Sequence, residues 1–149
     1  MERIPYSGTE IRLDGYWWEN LPLSHVPSIG TYFFYKDGTL LHGRSIPISD
    51  LEQGEEGFSS QSFRDATQRS KGGWGIFQVN GKEITFEMWS ESTELEVKTA
   101  VYSGKIIDEE IFVITSLLNN YSGETTARND TFFFKPFHPK PDSTYRRVK

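Results

Sequence analysis

The chain contains no cysteine, which excludes disulfide bonds, thiolate metal ligands and thiol nucleophiles together. Histidine is also scarce: only His25, His42 and His138 occur, far apart in the sequence. A metal site usually shows ligands at short, regular spacings, and these three residues show none. We therefore expect no metal site, and nothing in the sequence indicates another cofactor.

The chain also has no surplus of positive charge and no long hydrophobic run. Its 149 residues carry a formal net charge of −5, which disfavours nucleic acid and anionic membranes as partners. No stretch approaches the roughly 20 apolar residues of a membrane span. The first residues lack the basic-then-apolar pattern of a signal peptide. Localisation therefore stays open between the cytoplasm and export followed by removal of a signal.

Recognisable catalytic patterns are missing as well. A glycosidase needs two carboxyl groups that face each other across a cleft. Here the acidic pairs fall in predicted turns and loops or, for Glu83 and Glu87, on one outer strand face. The sequence has no nucleophile elbow and no phosphate-binding loop. We therefore predict that the protein is not an enzyme.

Aromatic residues and short strand-like segments are what the chain does contain. It has 4 Trp, 7 Tyr and 11 Phe, and aromatic residues favour β-strands. Turn-forming dipeptides such as Asp37-Gly38 and Asn80-Gly81 separate the segments. The predicted strands are residues 15–19, 31–36, 39–44, 74–79, 82–89, 96–107, 111–117 and 131–137. These eight strands predict an all-β fold, an eight-stranded antiparallel up-and-down barrel, because closure removes exposed sheet edges.

A long loop, residues 45–73, is predicted between the third and fourth strands. It is too long for a tight turn, and residues 62–70 within it predict a short helix with Ser62 as N-cap. Residues 132–134 and other strand segments are apolar on both faces, so the outer barrel wall needs a cover. We expect the loop to dock there through Phe58 and Phe63. A second copy of the chain, in a homodimer, is the alternative cover.

The Asn80-Gly81 turn assigns faces to the strands around it. A two-residue turn pairs Val79 with Lys82, and alternation along the strands then defines one apolar face. The side chains predicted to point inward are Phe77, Ile84, Phe86 and Met88. The same alternation in the next strand predicts that Val97 and Val101 also point inward.

The Asp37-Gly38 hairpin fits two registers. A two-residue turn places Phe34 opposite Leu41, whereas a three-residue turn with a glycine bulge places it opposite Leu40. The sequence alone does not choose between these registers.

Three segments resemble lipocalin-like (calycin) domains. The first is Gly15-Tyr16-Trp17, a Gly-x-Trp step just before the predicted strands. The others are residues 32–39 and 73–81, which are similar to the second and the central hairpins of such domains. With the length of the chain, the resemblance implies one domain over residues 1–149, with a barrel at about 13–137 and a tail at 138–149.

The resemblance also implies structural roles for three residues. In lipocalin-like barrels the Trp of the first strand, here Trp17 after Gly15, plugs the closed end of the barrel. A basic residue near the last strand, here Arg128, packs over that Trp. None of the three is expected to contact a ligand.

The functional prediction is a non-enzymatic, lipocalin-like protein that binds a small apolar ligand in the barrel lumen. The predicted ligand-binding side chains are Phe34, Phe77, Ile84, Phe86, Met88, Val97 and Val101. One alternative is a barrel filled by its own side chains that acts as a protein-interaction module. Another is a carbohydrate-binding β-sandwich that uses Trp18, Trp74 or Trp89 as stacking platforms.

Overall fold

A computed structural model of the chain describes residues 1–22, 25–69, 73–90 and 98–142. The strands are β1 (Gly15–Leu21), β2 (Ser28–Phe34), β3 (Thr39–His42), β4 (Ile46–Pro47), β5 (Trp74–Asn80), β6 (Glu83–Ser90), β7 (Lys98–Asp108), β8 (Ile111–Asn119) and β9 (Thr125–Pro136). A 3₁₀ turn (Ile48–Asp50) and two α-helices, α1 (Leu51–Gly57) and α2 (Gln61–Arg69), lie between β4 and β5.

The strands form one antiparallel sheet that closes on itself. The order is β1-β9-β8-β7-β6-β5-β3-β2, and β1 pairs with β2 as well as with β9. The two-residue β4 extends the pairing of β2 beyond the end of β3. The predicted closed, eight-stranded antiparallel barrel is therefore confirmed. A single closed sheet also excludes the two-sheet sandwich.

The β2–β3 hairpin takes the second of its two predicted registers. Phe34 lies opposite Leu40, and the loop contains three residues that end at Gly38. Gly38 has φ 88°, a left-handed conformation that favours glycine. The amide of Gly38 donates to the Tyr35 carbonyl at 3.1 Å, as expected for a type I turn with a glycine bulge.

The β5–β6 hairpin keeps its predicted faces but not its predicted register. Val79 pairs with Ile84, not Lys82, because the two turn residues are Gly81 and Lys82. Gly81 occupies the first turn position with φ 61°, where a type II′ turn requires glycine. The register shifts by two residues, so every side chain stays on its predicted face.

The inward orientation predicted for Val101 is wrong. Val101 pairs with Glu87 on the outer face, and nearby Thr99 donates to the same carboxylate at 2.9 Å. The inward residues of β7 are Ala100 and Tyr102, opposite Met88 and Phe86. Because three successive residues of this strand are apolar or aromatic, alternation alone does not select a face, and pairing with β6 decides it. Val97 lies outside the described residues.

The strands bury two separate hydrophobic cores, one on each side of the barrel wall. The inner core inside the barrel contains Ile11, Trp17, Tyr32, Phe34, Leu40, Phe77, Ile84, Phe86, Met88, Ile106, Phe112, Ile114 and Phe132. The outer core contains Tyr16, Ile29, Phe33, Tyr35, Leu41, Ile46, Phe58, Phe63 and Trp74. Two cores form because several strands are apolar on both faces, and both faces need cover.

The segment between β3 and β5 covers the outer core, as predicted, but it is not a plain loop. It folds into β4 and two helices, and it buries Phe58 and Phe63 to 3% and 7% exposure. The Phe58 ring packs against Phe33 with centroids 4.9 Å apart. The predicted N-cap is also corrected: the Phe63 amide donates to Ser60 Oγ at 3.2 Å, so Ser60 caps α2 and Ser62 lies in its first turn.

Trp17 is fully buried at the end of the barrel where β1 begins, which we call the closed end. Its ring lies 4.7 Å from that of Phe112, and its Nε1 donates to the Arg12 carbonyl at 3.0 Å. The residues before β1 thus pack against this end of the inner core through Ile11. The predicted burial of Trp17 at one end of the barrel is confirmed.

The predicted packing of Arg128 over Trp17 is wrong. Trp17 pairs with Phe134, six residues further along β9, and six residues of strand span about 20 Å. The prediction failed because β9 begins at Thr125, well before the predicted start at residue 131. Arg128 is therefore inside the strand near the opposite end, which we call the mouth. The cation at the closed end is Arg12, whose guanidinium lies 4.5 Å from the Phe134 ring centroid.

Candidate ligand-binding site at the barrel mouth

Four of the predicted ligand-binding residues fill the barrel interior and do not line the cavity at its mouth. Phe34 is 1% exposed, and Phe77, Ile84 and Phe86 are 0% exposed, so they border almost no space that a water molecule could enter. The Phe34 ring lies 4.9 Å from Phe77 and 5.9 Å from Phe86. Close packing of this kind is typical of protein interiors. At these positions the barrel is filled by its own side chains.

Met88 is the predicted residue that the structure places at a cavity. This cavity, of about 620 Å³, lies at the mouth of the barrel and extends beneath helix α2. Its barrel wall includes Tyr32, His42, Met88, Ala100 and Tyr102. Its helical wall includes Ser62, Phe63, Ala66 and Thr67. The volume lies within the usual range of small-molecule sites, about 300–1,000 Å³.

Helix α2 is held in place as one wall of this cavity. Phe63 and Thr67 are one helical turn apart and are both buried. The indole Nε1 of Trp74, at the start of β5, donates to the Thr67 carbonyl at 3.0 Å. This bond satisfies a carbonyl near the end of the helix, where carbonyls lack intrahelical partners.

Tyr32 and His42 form a stacked pair in the wall of the cavity. They lie directly opposite each other on β2 and β3, with centroids 4.5 Å apart and an interplanar angle of 12°. Burial lowers the pKa of His42 because the charged imidazolium loses solvation, although part of the residue remains exposed. The pair therefore offers a flat aromatic wall, and the imidazole of His42 is able to form hydrogen bonds.

Glu19 lies next to Tyr32, on the mouth side of the barrel interior. The Tyr32 hydroxyl donates to Glu19 Oε2 at 2.9 Å. Burial raises the pKa of Glu19, and the hydrogen bond from Tyr32 acts in the opposite direction. Burial also raises the pKa of Tyr32, so its hydroxyl keeps its proton at neutral pH. The deeper part of the mouth thus holds a half-buried carboxylate behind an aromatic wall.

Tyr102 and the ion pair between Arg128 and Asp130 are further ionisable groups near the mouth. Arg128 Nε donates to Asp130 Oδ2 at 2.8 Å. Burial raises the pKa of Tyr102, and the nearby charge of Arg128 partly opposes this shift. Aromatic packing therefore fills the middle of the barrel, and a group of ionisable side chains lies around its mouth.

Two of these mouth residues were missed although the sequence carried a signal for them. Glu19 follows Trp17 by two positions, so strand alternation already directs it inward. Tyr32 precedes the inward Phe34 by the same interval. Acidic side chains are seldom buried without a partner, so an inward acidic residue on a predicted barrel strand is the signal that could have found Glu19. Tyr102 was missed because the faces of β7 were assigned the wrong way round.

A second cavity, of about 860 Å³, lies at the closed end beside residues 140–142, which we call the C-terminal segment. There the Lys140 ammonium donates to the carbonyls of Leu13 at 2.6 Å and Phe34 at 2.7 Å. Burial lowers the pKa of Lys140 to about 8. The hydroxyl of Tyr35 donates to the Pro141 carbonyl at 2.6 Å. These contacts fasten the C-terminal segment to the barrel.

The described part of the chain has neither a cluster of metal-ligating side chains nor a membrane-spanning helix. Over residues 1–22, 25–69, 73–90 and 98–142, no three acidic or histidine side chains gather where they could hold a metal ion. None of the helices in these ranges has the length and apolar character needed to cross a bilayer.

The fold and the mouth cavity together define a small antiparallel β-barrel with a candidate site for a small molecule. No protein-family model, no curated protein and no solved structure matches this chain.

Proposed function

We propose that this protein is a non-enzymatic, lipocalin-like binding protein that holds a small ligand at the mouth of its barrel. The observation that carries the proposal is the cavity of about 620 Å³ at the mouth. It combines apolar walls from Met88, Phe63 and Ala66 with polar groups on Tyr32 and Tyr102. Binding sites in barrels commonly lie at the mouth and have mainly apolar walls with a few polar groups.

Two features at the closed end support the lipocalin-like part of the proposal. Gly15 and Trp17 lie at the start of the first strand, and the Trp17 ring is buried against Phe112 and Phe134. A Cβ atom at Gly15 would lie 2.0 Å from the Lys135 carbonyl oxygen, so this position requires glycine. Both features agree with the structural roles that the Gly-x-Trp resemblance implies.

Two of the observations behind the alternative functions change in this fold. Trp74, suggested as a sugar-stacking platform, is 2% exposed and bonded to Thr67. The outward aromatic residues that suggested an interaction module include Phe33, which packs under Phe58 of the chain's own helical segment. Neither observation therefore favours a sugar platform or a protein-docking face.

Two adjacent residues of β7 provide a matched test of the site. Ala100 lines the mouth cavity, whereas Val101 pairs with Glu87 on the outer face. We expect the neutral apolar dye Nile red to bind the unmodified protein, and Ala100→Phe to weaken binding at least tenfold because the new ring occupies the cavity. Val101→Phe adds similar bulk outside the cavity and should leave the affinity within twofold. Fluorescence titration measures both.

Two results would contradict the proposal. Nile red that fails to bind the unmodified protein would indicate that the mouth does not hold apolar molecules. Equal weakening by Ala100→Phe and Val101→Phe would show that the dye binds elsewhere or that both changes disturb the fold. Circular dichroism of each variant separates the last two explanations.

A further inference from the structure

The hydrogen bond between Tyr32 and Glu19 fixes what the mouth cavity offers a ligand. An ionised carboxylate only accepts hydrogen bonds, so the single hydroxyl proton of Tyr32 is directed to Glu19. The Tyr32 oxygen then has only lone pairs left for a further partner, and Tyr32 is one of the residues that line the cavity. A polar ligand group beside it must therefore be a hydrogen-bond donor.

The charges around this hydroxyl favour a positive donor. Of the ion pairs among the described residues, none includes Glu19, and its Oε2 contact is the Tyr32 hydroxyl. The neighbouring Arg128 and Asp130 pair with each other and largely cancel. A half-buried carboxylate without a cation is unfavourable, and a cationic ligand would supply the missing charge. Arg44, which also lines the cavity, carries a positive charge that acts against a cationic ligand.

The aromatic side chains of the cavity suit an organic cation as well. Tyr32, Trp89 and Tyr102 all line it, and ring faces attract ammonium groups that have lost part of their water. Met88 and Phe63 provide apolar contact area beside these rings. The cavity lining therefore combines a tyrosine hydroxyl and aromatic rings with an apolar surface, and the Glu19 carboxylate lies behind Tyr32.

We infer that the mouth cavity selects a small organic amine, whose ammonium group donates to the Tyr32 hydroxyl and whose apolar body packs on Met88 and Phe63. This inference rests on the proposed function and adds the chemical class of the ligand. Glu19 acts through Tyr32 as a specificity-determining group, because it orients the hydroxyl and supplies the negative charge.

Three probes that share one ring system test this selection by calorimetric titration. They are 1-naphthylmethylamine, 1-naphthylmethanol and 1-naphthoic acid, which carry an ammonium, a hydroxyl and a carboxylate at neutral pH. We expect the amine to bind at least tenfold more tightly than the alcohol, which is a difference of about 1.4 kcal/mol, and the acid to bind most weakly. Tyr32→Phe should reduce the preference for the amine while preserving the ring.

Two carboxylate variants supply the matched comparison. Glu19→Gln removes the charge at the mouth and should bring the amine to within about threefold of the alcohol. Glu83→Gln removes a carboxylate at the exposed start of β6 near the closed end and should preserve the full preference.

A pH series on the unmodified protein tests the same point without a substitution. Because burial raises the pKa of Glu19, the affinity for the amine should fall as the pH drops and this carboxylate is protonated. His42, Arg44 and Asp130 also lie around the mouth, and protonation of His42 acts in the same direction as that of Glu19. The contribution of Glu19 is the pH dependence of amine affinity that is lost in Glu19→Gln. The affinity for the alcohol should change little with pH.

The outcomes separate the inference from the proposed function. Equal binding of the amine and the alcohol, or tighter binding of the acid through Arg44, overturns the amine selectivity and leaves a small-molecule site in place. A preference for the amine that survives in Glu19→Gln also overturns it. Failure of all three probes and of Nile red to bind overturns the binding function itself.

Discussion

At the scale of single residues, the closed end of the barrel depends on tight packing around one indole. Trp17 is fully buried, its ring contacts Phe112 and Phe134, and its Nε1 reaches the Arg12 carbonyl. Its neighbour Trp18 points to the other side of the wall, where it is partly buried against Phe133 with centroids 4.8 Å apart. Adjacent tryptophans thus occupy two different environments.

This difference predicts unequal costs of substitution. Trp17→Ala should lower the free energy of unfolding by roughly 3–5 kcal/mol, because it removes a buried aromatic ring and leaves a cavity. Trp18→Ala should cost clearly less, since part of that side chain already contacts water. Denaturant unfolding of both variants measures the difference. Small and equal losses would show that Trp17 is not the packing centre of the closed end.

At the scale of secondary-structure elements, the helical segment behaves as a second layer on the barrel wall. The Tyr16 hydroxyl donates to Glu55 Oε2 of α1 at 2.8 Å, and the Lys135 ammonium donates to the same oxygen. Phe58 and Phe63 then pack into the outer core. One polar anchor and two aromatic anchors hold the segment, so the aromatic ring of Phe33 is covered without a second chain.

The aromatic anchors can be tested as a pair. Phe58→Ser combined with Phe63→Ser should release α1 and α2, because each change removes a buried ring. We expect cleavage by trypsin after Arg64 to become at least tenfold faster and the binding of apolar dyes to increase. Limited proteolysis followed by mass spectrometry measures the cleavage.

The matched control places serine at two exposed positions of the same helices. Glu56→Ser with Gln68→Ser keeps both rings and should cleave at the original rate. Rapid cleavage of the unmodified protein, together with a dimer in light scattering, would contradict the docked segment and favour a partner chain as the cover.

At the scale of the whole molecule, the two ends of the barrel differ in chemistry. The closed end is packed by aromatic rings and fastened by Lys140, whose ammonium bonds to two backbone carbonyls and lies 4.5 Å from the Tyr35 ring centroid. The mouth instead carries Glu19 and Tyr102 beside an open cavity.

Lys140 makes stability depend on pH in a defined window. Burial lowers its pKa to about 8 in the folded chain, against an ordinary value of 10.5. Between these values the unfolded chain binds more protons, so this group raises the free energy of unfolding as the pH rises from about 8 to 10.5. Lys140→Met should remove that increase.

The measurement is the difference in unfolding free energy between the unmodified protein and each variant across this pH range. Taking the difference cancels the contributions of the other titrating groups. Lys36→Met serves as the control, because Lys36 borders the same cavity but is exposed. The unmodified protein should gain stability relative to Lys140→Met with rising pH, and keep a constant difference from Lys36→Met. Parallel curves for Lys140→Met and the unmodified protein would contradict the burial of this ammonium.

Much of the architecture was predictable because it depends on local patterns. The Asn80-Gly81 turn located a hairpin, and alternation placed Phe77 and Phe86 on one inward face. A register error of two residues did not change that result, since side chains repeat every two residues along a strand. Phe58 and Phe63 were predicted to dock because exposed aromatic walls require cover.

The residues that form the candidate site were less predictable because they depend on contacts between distant strands. Val101 lies on the outer face because β7 pairs with β6 in one particular register. Arg128 lies at the mouth because β9 extends back to Thr125. Neither pairing nor strand length is encoded within a few neighbouring residues, so alternation and resemblance could not decide them.

The sequence by itself determined the barrel, its order of strands and its aromatic interior, because turn residues and period-two alternation act locally. The tertiary structure decided that the rings of Phe34, Phe77 and Phe86 meet and fill the lumen. It also decided that a cavity remains at the mouth, where Tyr32 lines it. Whether side chains fill a barrel or leave a cavity depends on how opposite walls pack, and that is fixed only when the sheet closes.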